Sequence, residues 1–306
     1  MLISLNEIKK YVQIPEEIST TELITLIGSR LVEIEEVIDL APKYRGIYIA
    51  KVVSCEKIPD THLSLCQIDA GGQREDLAEN GTIQVVCGAP NVHAGMLAVW
   101  LAPGTIVPQT YGNEDFKLGK RKLRGYESNG MLAAIDELDL GTDHEGIAEI
   151  NPNMAQPGDD FAELFELNDI ILDVENKSLT HRPDCFGLIG FAREVAGILG
   201  LDFEEPSWPE LASVHDLPIS VKITDKELCP RYSCAVFECD LPKTSTHHYL
   251  TYYGDVFLAK AGMRSISPLV DLTNIIMLRT GQPLHAFDYD KLITVGGTDS
   301  PKIIIR

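Results

Sequence analysis

The residues with the clearest capacity for chemistry form a basic run near the middle of the chain. Five cations lie within eight residues, with no acid among them: Lys117, Lys120, Arg121, Lys122 and Arg124. Cationic side chains at this density can bind phosphate groups. The whole chain of 306 residues has a formal net charge of −20, which excludes a general affinity for nucleic acid. Any RNA would therefore have to bind at this local run.

The basic run also has a simpler interpretation. In a solvated hairpin loop, its cations would only balance the neighbouring acids Glu114, Asp115 and Glu127. Such a loop needs no ligand, because charged side chains are ordinarily exposed to water. From the residues alone, both interpretations remain open.

A second group of polar side chains lies near the end of the chain. Thr273 and Asn274 precede the apolar run 275–278, and His285 follows the Gly-Gln-Pro sequence at 281–283. This spacing can bring the end of an element and the following turn to one pocket wall. The alternative interpretation is a polar turn, in which Asn274 caps a helix and Pro283 fixes the position of His285.

Helices and strands near the start of the chain and at 173–200 are predicted to pack together as one domain. The stretch 173–200 predicts a strand entry, a polar loop and an amphipathic helix that Gly200 ends. Before that helix, Asp184 is free to cap it because Pro183 holds Arg182 extended. Capping boxes at 4–7 and 19–22 predict two short helices, the first running through Tyr11 and Val12, and 32–35 alternates like a strand. The apolar helix stripe comprises Leu188, Ile189, Ala192, Val195, Ala196 and Leu199.

Between these segments, the pattern changes to short strands separated by Gly and Pro. The alternating segments are 47–55, 65–70, 82–87, 96–101 and 147–150. Five short strands with little helix predict a small oligonucleotide-binding barrel. Further on, 219–223 and 232–238 are predicted as strands, and 249–261 as a helix that ends at Gly262.

The composition predicts a cytoplasmic protein without a membrane segment or a metal site. No apolar run reaches the length of a membrane span, and no secretory signal precedes the first helix. The seven cysteines contain no CxxC pair, which favours reduced cytosolic thiols. Cys229, Cys234 and Cys239 are spaced so that neighbours would lie on opposite strand faces, so a zinc site is rejected.

Three sequence motifs resemble the bacterial phenylalanine–tRNA ligase beta-subunit family. The first is RPDC at 182–185 with Gly187 and AREVA at 192–196. The second comprises VVCGAPNVHAGM at 85–96 and KLRGYESNGML at 122–132, which are similar to a tRNA-binding barrel. The third comprises GMR at 262–264, VDLTN at 270–274 and GQPLHAFD at 281–288, which are similar to the family's editing domain.

The chain departs from the family pattern at several positions. His181 replaces an asparagine, and His62 stands where a cation is usual, which weakens the expected RNA affinity of the barrel. In the editing motif, Ser265, Ser267 and Ile275 replace a proline, an asparagine and an aromatic residue.

The resemblance implies an α+β multidomain fold. A five-stranded oligonucleotide-binding (OB-fold) barrel would be inserted into a small α+β domain and followed by part of a mixed α/β editing domain. The expected boundaries are 1–40 and 152–205 for the two parts of the first domain, 41–151 for the tRNA-binding insertion, and 206–306 for an incomplete editing domain. Because the chain ends within an apolar strand pattern at 301–306, we expect an N-terminal fragment of a longer subunit.

The resemblance also implies functions for particular residues. The barrel would bind tRNA(Phe) through the five cations and Asn91. Thr273, Asn274 and His285 would hydrolyse tRNA mischarged with tyrosine, by holding a water and the ester without a covalent nucleophile. Editing of this kind is needed because a pocket that selects phenylalanine discriminates poorly against tyrosine, which only adds a hydroxyl.

The resemblance implies that synthesis takes place outside this chain. The full enzyme, with two alpha and two beta subunits, would attach phenylalanine to tRNA(Phe) using ATP and Mg²⁺. No cofactor, metal, DNA or membrane partner is expected for the chain itself. The alternative function is a non-catalytic tRNA-binding and assembly module.

Overall fold

The structure is a computed structural model that describes residues 1–210, 217–238 and 250–306. The chain divides into two units: Met1–Glu204 with Ser245–Pro283, and Glu205–Thr244 with Leu284–Arg306. The described strands are β1 (Leu2–Ser4), β2 (Ile34–Asp39), β3 (Ile47–Lys57), β4 (Ser64–Asp69), β5 (Ile83–Cys87), β6 (Leu97–Leu101), β7 (Lys120–Leu123), β8 (Tyr126–Asn129), β9 (Met131–Leu132), β10 (Glu149–Ile150), β11 (Ile170–Val174), β12 (Ser220–Ile223) and β13 (Lys302–Ile305). The described α-helices are α1 (Leu5–Lys9), α2 (Thr20–Arg30), α3 (Phe161–Leu164), α4 (Leu188–Leu199), α5 (Leu258–Lys260), α6 (Pro268–Thr280) and α7 (Tyr289–Gly296).

Within the first unit, β11 is the central strand of a three-stranded antiparallel sheet. β1 pairs with it on one side and β2 on the other. The serine half of each predicted capping box is present, since the amides of Glu7 and Glu22 donate to the hydroxyls of Ser4 and Ser19 at 3.1 and 3.2 Å. Helices α1, α2 and α4 and this sheet bury one apolar core, to which α4 contributes most of its predicted stripe.

The region between β2 and β11 folds as a nearly closed five-stranded antiparallel barrel. Its strand order is β10-β6-β3-β4-β5, and β9 also pairs with β6. Every residue of β6 is buried, because Trp100 and Ala98 face the barrel interior while Val99 and Leu101 face a second apolar core. The predicted small barrel is thereby confirmed in its coarse form.

The second apolar core joins the barrel to residues on its C-terminal side. Phe161 and Phe165 are fully buried against the barrel, with ring centroids 5.1 Å apart. Leu250 and Val256, from a much later part of the chain, bury their side chains in the same core. The predicted boundary at residue 151 stays a prediction, although the aromatic pair after it packs with the barrel.

A buried ion pair ties α5 to the segment before β11. The ammonium group of Lys260 lies 2.7 Å from Oδ2 of Asp169, and their side chains are 3% and 0% exposed. The same carboxylate accepts from the hydroxyl of Ser4 at 2.5 Å and from the amide of Asn6 at 3.0 Å. The start of the chain, the segment before β11 and α5 therefore share one charged centre.

A second group of polar contacts surrounds Tyr252, which begins a π-helix at Tyr252–Phe257. Its hydroxyl lies within hydrogen-bonding distance of the carboxylates of Glu7 and Glu166, to either of which it can donate its one hydrogen. Lys10 lies 2.7 Å from Glu7 and 2.9 Å from Glu166, so its single positive charge offsets part of the charge of the two acids. Burial, followed by hydrogen bonding to Glu7, raises the pKa of Tyr252, so the phenol stays protonated and acts as the donor.

The second unit is described from the ranges 205–210, 217–238 and 284–306. β12 pairs in parallel with β13, and Thr224 donates from its hydroxyl to the carbonyl of Ile305 at 2.7 Å. Helix α7 begins after Asp288, whose carboxylate accepts from the amide of Lys291 at 3.0 Å. The hydroxyl of Tyr289 donates to the carbonyl of Pro218 at 2.8 Å, which links this helix to the residues before β12.

Several local predictions are wrong. The first helix ends at Lys9, although the buried Tyr11 and Val12 continue its apolar pattern. Asp184 does not cap α4, because its carboxylate pairs with Arg182 at 2.8 Å and Gly187 is the cap residue. Residues 232–238 contain no strand, and the helix predicted from 249 starts at residue 252 with π geometry. Cys239 lies outside the described residues.

Candidate nucleic-acid interface

A β-hairpin with a two-residue turn carries most of the basic run. β7 and β8 pair antiparallel around Arg124 and Gly125, whose φ angles are +50° and +92°. Two successive positive φ angles characterise the hairpin turn that matches the natural twist of paired strands. All four residues of β7 are exposed, and alternation places Lys120 and Lys122 on one face with Arg121 on the other.

The hairpin is fastened to the barrel through β8 and the segment before β7. Gln84 donates from its side chain to the carbonyl of Glu127 at 2.8 Å, and the hydroxyl of Ser128 accepts from the amide of Val86 at 3.0 Å. Asn129 completes this contact by donating to the carbonyl of Gln84 at 3.2 Å. The cations therefore stand on a strand pair whose inner strand closes the barrel against β5.

The cations themselves form few contacts with the rest of the protein. Arg121 lies over the ring of Phe116, 5.1 Å from its centroid, and Lys117 is an exposed neighbour of the buried Leu118. None of the five cations forms an ion pair with any residue that the structure describes.

Two of the acids near the run already have other partners. Asp115 accepts from the amide of Gly112 at 2.8 Å. Hydrogen bonding from Arg74 holds the pKa of Asp76 below its usual value, and Lys120 adds a weaker attraction. Within the hairpin, Glu127 faces Lys122 across the strand pair without forming an ion pair in the described structure. The charges of the basic run are therefore open to a ligand.

Asn91, the sixth residue predicted to bind tRNA, has a different environment. Its amide donates to the carbonyl of Ile147 at 2.9 Å and its oxygen accepts from the amide of the same residue at 3.0 Å. Gly146 lies so close that a Cβ atom there would stand 2.6 Å from this oxygen. The side chain thus holds the loop after β5 to the segment before β10, and its contact with tRNA stays a prediction.

Thr273 and Asn274 lie in the second turn of α6. The hydroxyl of Thr273 donates to the carbonyl of Val270 at 2.7 Å, and both residues are half-buried. Because the helix begins after Ser267, the alternative interpretation of Asn274 as a cap is wrong. His285 belongs to the second unit, where it is exposed and its ring centroid lies 6.4 Å from that of Phe287.

Asp271 is a neighbouring residue for which the sequence motifs predict no role. It is 4% exposed, and its carboxylate accepts from the hydroxyl of Ser265 at 2.7 Å and the amide of Ile266 at 2.8 Å. These bonds fix the loop that leads into α6. The sequence contains a pattern that indicates this role: Ser267-Pro268 is typical of a helix start, which places Asp271 in the first turns of the helix.

The described residues contain no cluster of three or more His, Cys, Asp or Glu side chains that could hold a metal ion. None of the helices in the described part of the chain has the length and apolar character needed to cross a bilayer.

Two family models match parts of the chain. The model of a tRNA binding domain matches residues 47–160, which comprise the barrel and the basic hairpin and end just before α3. The B3/4 domain model matches residues 254–306, which include α6 and His285. The barrel with its exposed basic hairpin therefore belongs to a class of tRNA-binding domains.

The whole chain is similar to curated proteins named phenylalanine–tRNA ligase beta subunit. It is 38% identical to the protein of Desulfotalea psychrophila, over 100% of this chain and 34% of that protein. Its identity to the proteins of Aliivibrio fischeri and Neisseria meningitidis is 35% and 36%, over 90% and 92% of this chain and 32% and 33% of those proteins. The chain belongs to the phenylalanine–tRNA ligase beta-subunit family, a family of aminoacyl-tRNA synthetase subunits, and spans about a third of the length of these relatives.

Proposed function

We propose that this chain binds tRNA(Phe) through the β7–β8 hairpin as part of a phenylalanine–tRNA ligase beta subunit. The observation that carries the proposal is the set of exposed cations without ion-pair partners among the described residues, on a chain whose net charge is −20. Phosphates would find strong local attraction there and repulsion over most of the remaining surface. The alpha subunit, ATP and Mg²⁺ belong to aminoacylation by the assembled enzyme of two alpha and two beta subunits.

The salt dependence of tRNA binding tests this proposal. Replacing Lys120, Arg121 and Lys122 by Ala removes about three phosphate contacts, so the slope of log K against log salt should fall by roughly 2.7. The control variant replaces Lys9, Lys177 and Lys226 by Ala, which removes the same charge from exposed positions elsewhere. Equal slopes for the hairpin variant and the control would favour the solvated-loop interpretation.

We further propose that Thr273, Asn274 and His285 contribute to the hydrolysis of Tyr-tRNA(Phe). The match of residues 254–306 to the B3/4 domain supports this role, as does the loop before α6 that Asp271 fixes. The side chains would position a water and the ester, and the polar site would favour tyrosine over phenylalanine through its hydroxyl. A non-catalytic tRNA-binding and assembly module is the competing function.

Two rates measured on one preparation discriminate these functions. We expect little or no hydrolysis by the chain alone. In a complete beta subunit assembled with its alpha partner, His285→Ala should slow deacylation of Tyr-tRNA(Phe) by ~10²-fold if His285 positions water. Aminoacylation with phenylalanine should be almost unchanged. Loss of both rates would show that His285 maintains the fold, and retention of both would show that it takes no part.

A further inference from the structure

An open concavity lies beside the tip of the basic hairpin. It measures about 480 Å³ and is lined by Asp60, Thr61, His62, Leu63 and Arg124. One wall is the turn between β3 and β4, and the other is the residue at which the β7–β8 hairpin turns. Its volume falls within the roughly 300–1,000 Å³ that is usual for small-ligand sites.

The wall formed by residues 58–63 is held rigidly by its own backbone. The amide of Ile58 donates to the carbonyl of Leu63 at 2.9 Å, and the amide of Thr61 donates to the carbonyl of Ile58 at 3.2 Å. The hydroxyl of Thr61 bonds the carbonyl of Ile58 and the amide of Leu63 at 2.9 and 3.1 Å. The side chain of Thr61 therefore stabilises the turn, and this wall of the concavity is formed without a ligand.

The remaining polar side chains of the concavity are not used by the protein. Among the described residues, the side chains of Asp60, His62 and Arg124 make no hydrogen bond or ion pair. Asp60 and Arg124 both adopt left-handed backbone conformations, with φ of +58° and +50°. At Arg124 the positive φ is the one that the two-residue hairpin turn requires, and Asp is among the residues that adopt this region most readily.

The chemistry of these three side chains does not match a phosphate alone. Arg124 can donate to a phosphate, but the carboxylate of Asp60 would repel it. A nucleobase can supply the hydrogen-bond donors that the carboxylate needs, because base edges carry N–H groups. Guanine alone presents two adjacent donors, N1–H and the N2 amino group, on its pairing edge, and this pair suits the two oxygens of a carboxylate. An imidazole ring such as that of His62 can stack on an unpaired base.

We propose that this concavity binds one unpaired guanine nucleotide of the RNA that the hairpin attracts. Asp60 accepts from N1–H and the N2 amino group, His62 stacks on the base, and Arg124 donates to the adjacent phosphate. The inference rests on the proposed RNA-binding function and adds a base preference to it. Phosphate contacts position an RNA without selecting its sequence, whereas contacts to a base edge select.

The test uses the whole chain and short single-stranded RNA probes. Four oligouridines of equal length carry a central guanine, inosine, adenine or uridine, and their binding is measured by fluorescence anisotropy. Inosine keeps N1–H and lacks only the N2 amino group. The guanine probe should bind at least about 5-fold more tightly than the inosine probe, as expected for one lost bond of a bidentate pair.

Two variants examine the assigned side chains. Asp60→Asn should reduce the guanine preference to less than about 2-fold while uridine binding is unchanged or stronger, because one repulsive charge is removed. Glu114→Gln removes the same charge from an exposed position beside the hairpin and should retain the preference. His62→Ala should weaken guanine binding by about 10-fold through lost stacking, whereas His93→Ala, at another exposed histidine of the barrel, should not.

The outcomes separate this inference from the function on which it rests. Equal binding of all four probes, with salt dependence that the hairpin cations control, would overturn the guanine site and leave tRNA binding standing. Retention of the preference in Asp60→Asn would also overturn the site. Absence of any binding to the probes and to tRNA would overturn both proposals.

Discussion

At the scale of single residues, the charges of this chain have two contrasting environments. The hairpin cations are exposed and without ion pairs among described residues, whereas Lys260 and Asp169 are almost completely withdrawn from water. A buried pair loses much of its Coulomb attraction to desolvation, so its presence does not by itself stabilise the fold. Removing one partner is costly, however, because the other charge stays buried without compensation.

Lys260→Met should therefore destabilise the first unit by about 3–5 kcal/mol. Adding Asp169→Asn should recover part of this loss, because the amide oxygen can still accept from the backbone while the uncompensated charge is gone. Urea denaturation measures both changes. Lys177→Met is the control, since that side chain is 90% exposed and its ion pair at 3.8 Å should contribute less than about 1 kcal/mol. A loss below about 1 kcal/mol for Lys260→Met would contradict the argument.

The two environments also explain which site residues sequence could find. The run at 117–124 can be recognised from the sequence because five cations lie within eight residues with no acid among them. The partners of Lys260 and Tyr252 cannot, because they lie many residues earlier in the chain and charge carries no periodic signal. The role proposed for Asp60 carries no sequence signal for a similar reason, since it depends on Arg124 across the concavity.

At the scale of elements, sequence patterns predict helix starts and ends correctly where the contacts that form them lie within a few residues. Ser4 and Ser19 cap their helices as predicted, and Gly200 ends α4 with a φ of +68°, as its position predicted. Residues 232–238 alternate as a strand would, yet a strand also needs a partner to pair with. The cap at Asp184 failed because Arg182 competes for the same carboxylate.

Two glycines of α4 should respond to alanine in opposite directions. At Gly190, a Cβ would lie 2.1 Å from the carbonyl oxygen of Asp184, so Gly190→Ala should destabilise the protein by about 3 kcal/mol. At Gly197, no atom of the described residues lies within 4 Å of the new Cβ, so Gly197→Ala should stabilise the protein by about 0.5–1 kcal/mol. Chemical denaturation of both variants checks the pair, and a shared sign would contradict the close approach at Gly190.

At the scale of the whole molecule, the barrel interrupts a sheet that is otherwise complete. The ends of the interruption meet, because the amide of Leu40 donates to the carbonyl of Asp169 at 3.0 Å. The matched tRNA binding domain ends at residue 160, and Phe161 and Phe165 pack into the barrel's second core. These contacts favour an insertion that extends beyond residue 151. Sequence periodicity could not predict the C-terminal boundary of the insertion, because the apolar pattern of α3 does not indicate which of the two cores it packs against.

Deleting residues 41–168 and joining the ends with a short Gly/Ser linker should leave a remainder that unfolds cooperatively. Deleting only 41–151 should give a lower Tm, because the buried rings of Phe161 and Phe165 would become exposed. Circular dichroism during heating compares the two variants. Absence of a cooperative transition in the longer deletion would show that the first core cannot form without the barrel.

The central position of β11 has a consequence for the chain while it is being made. β1 and β2 leave the ribosome before their shared partner, which follows β2 after the 130 residues from 40 to 169. At roughly 5–20 residues per second, β2 waits on the order of ten seconds. The barrel strands emerge during that delay and can pair locally. β2 meanwhile exposes an unpaired backbone, and its Glu35, Glu36 and Asp39 oppose pairing with other nascent chains on the same polysome.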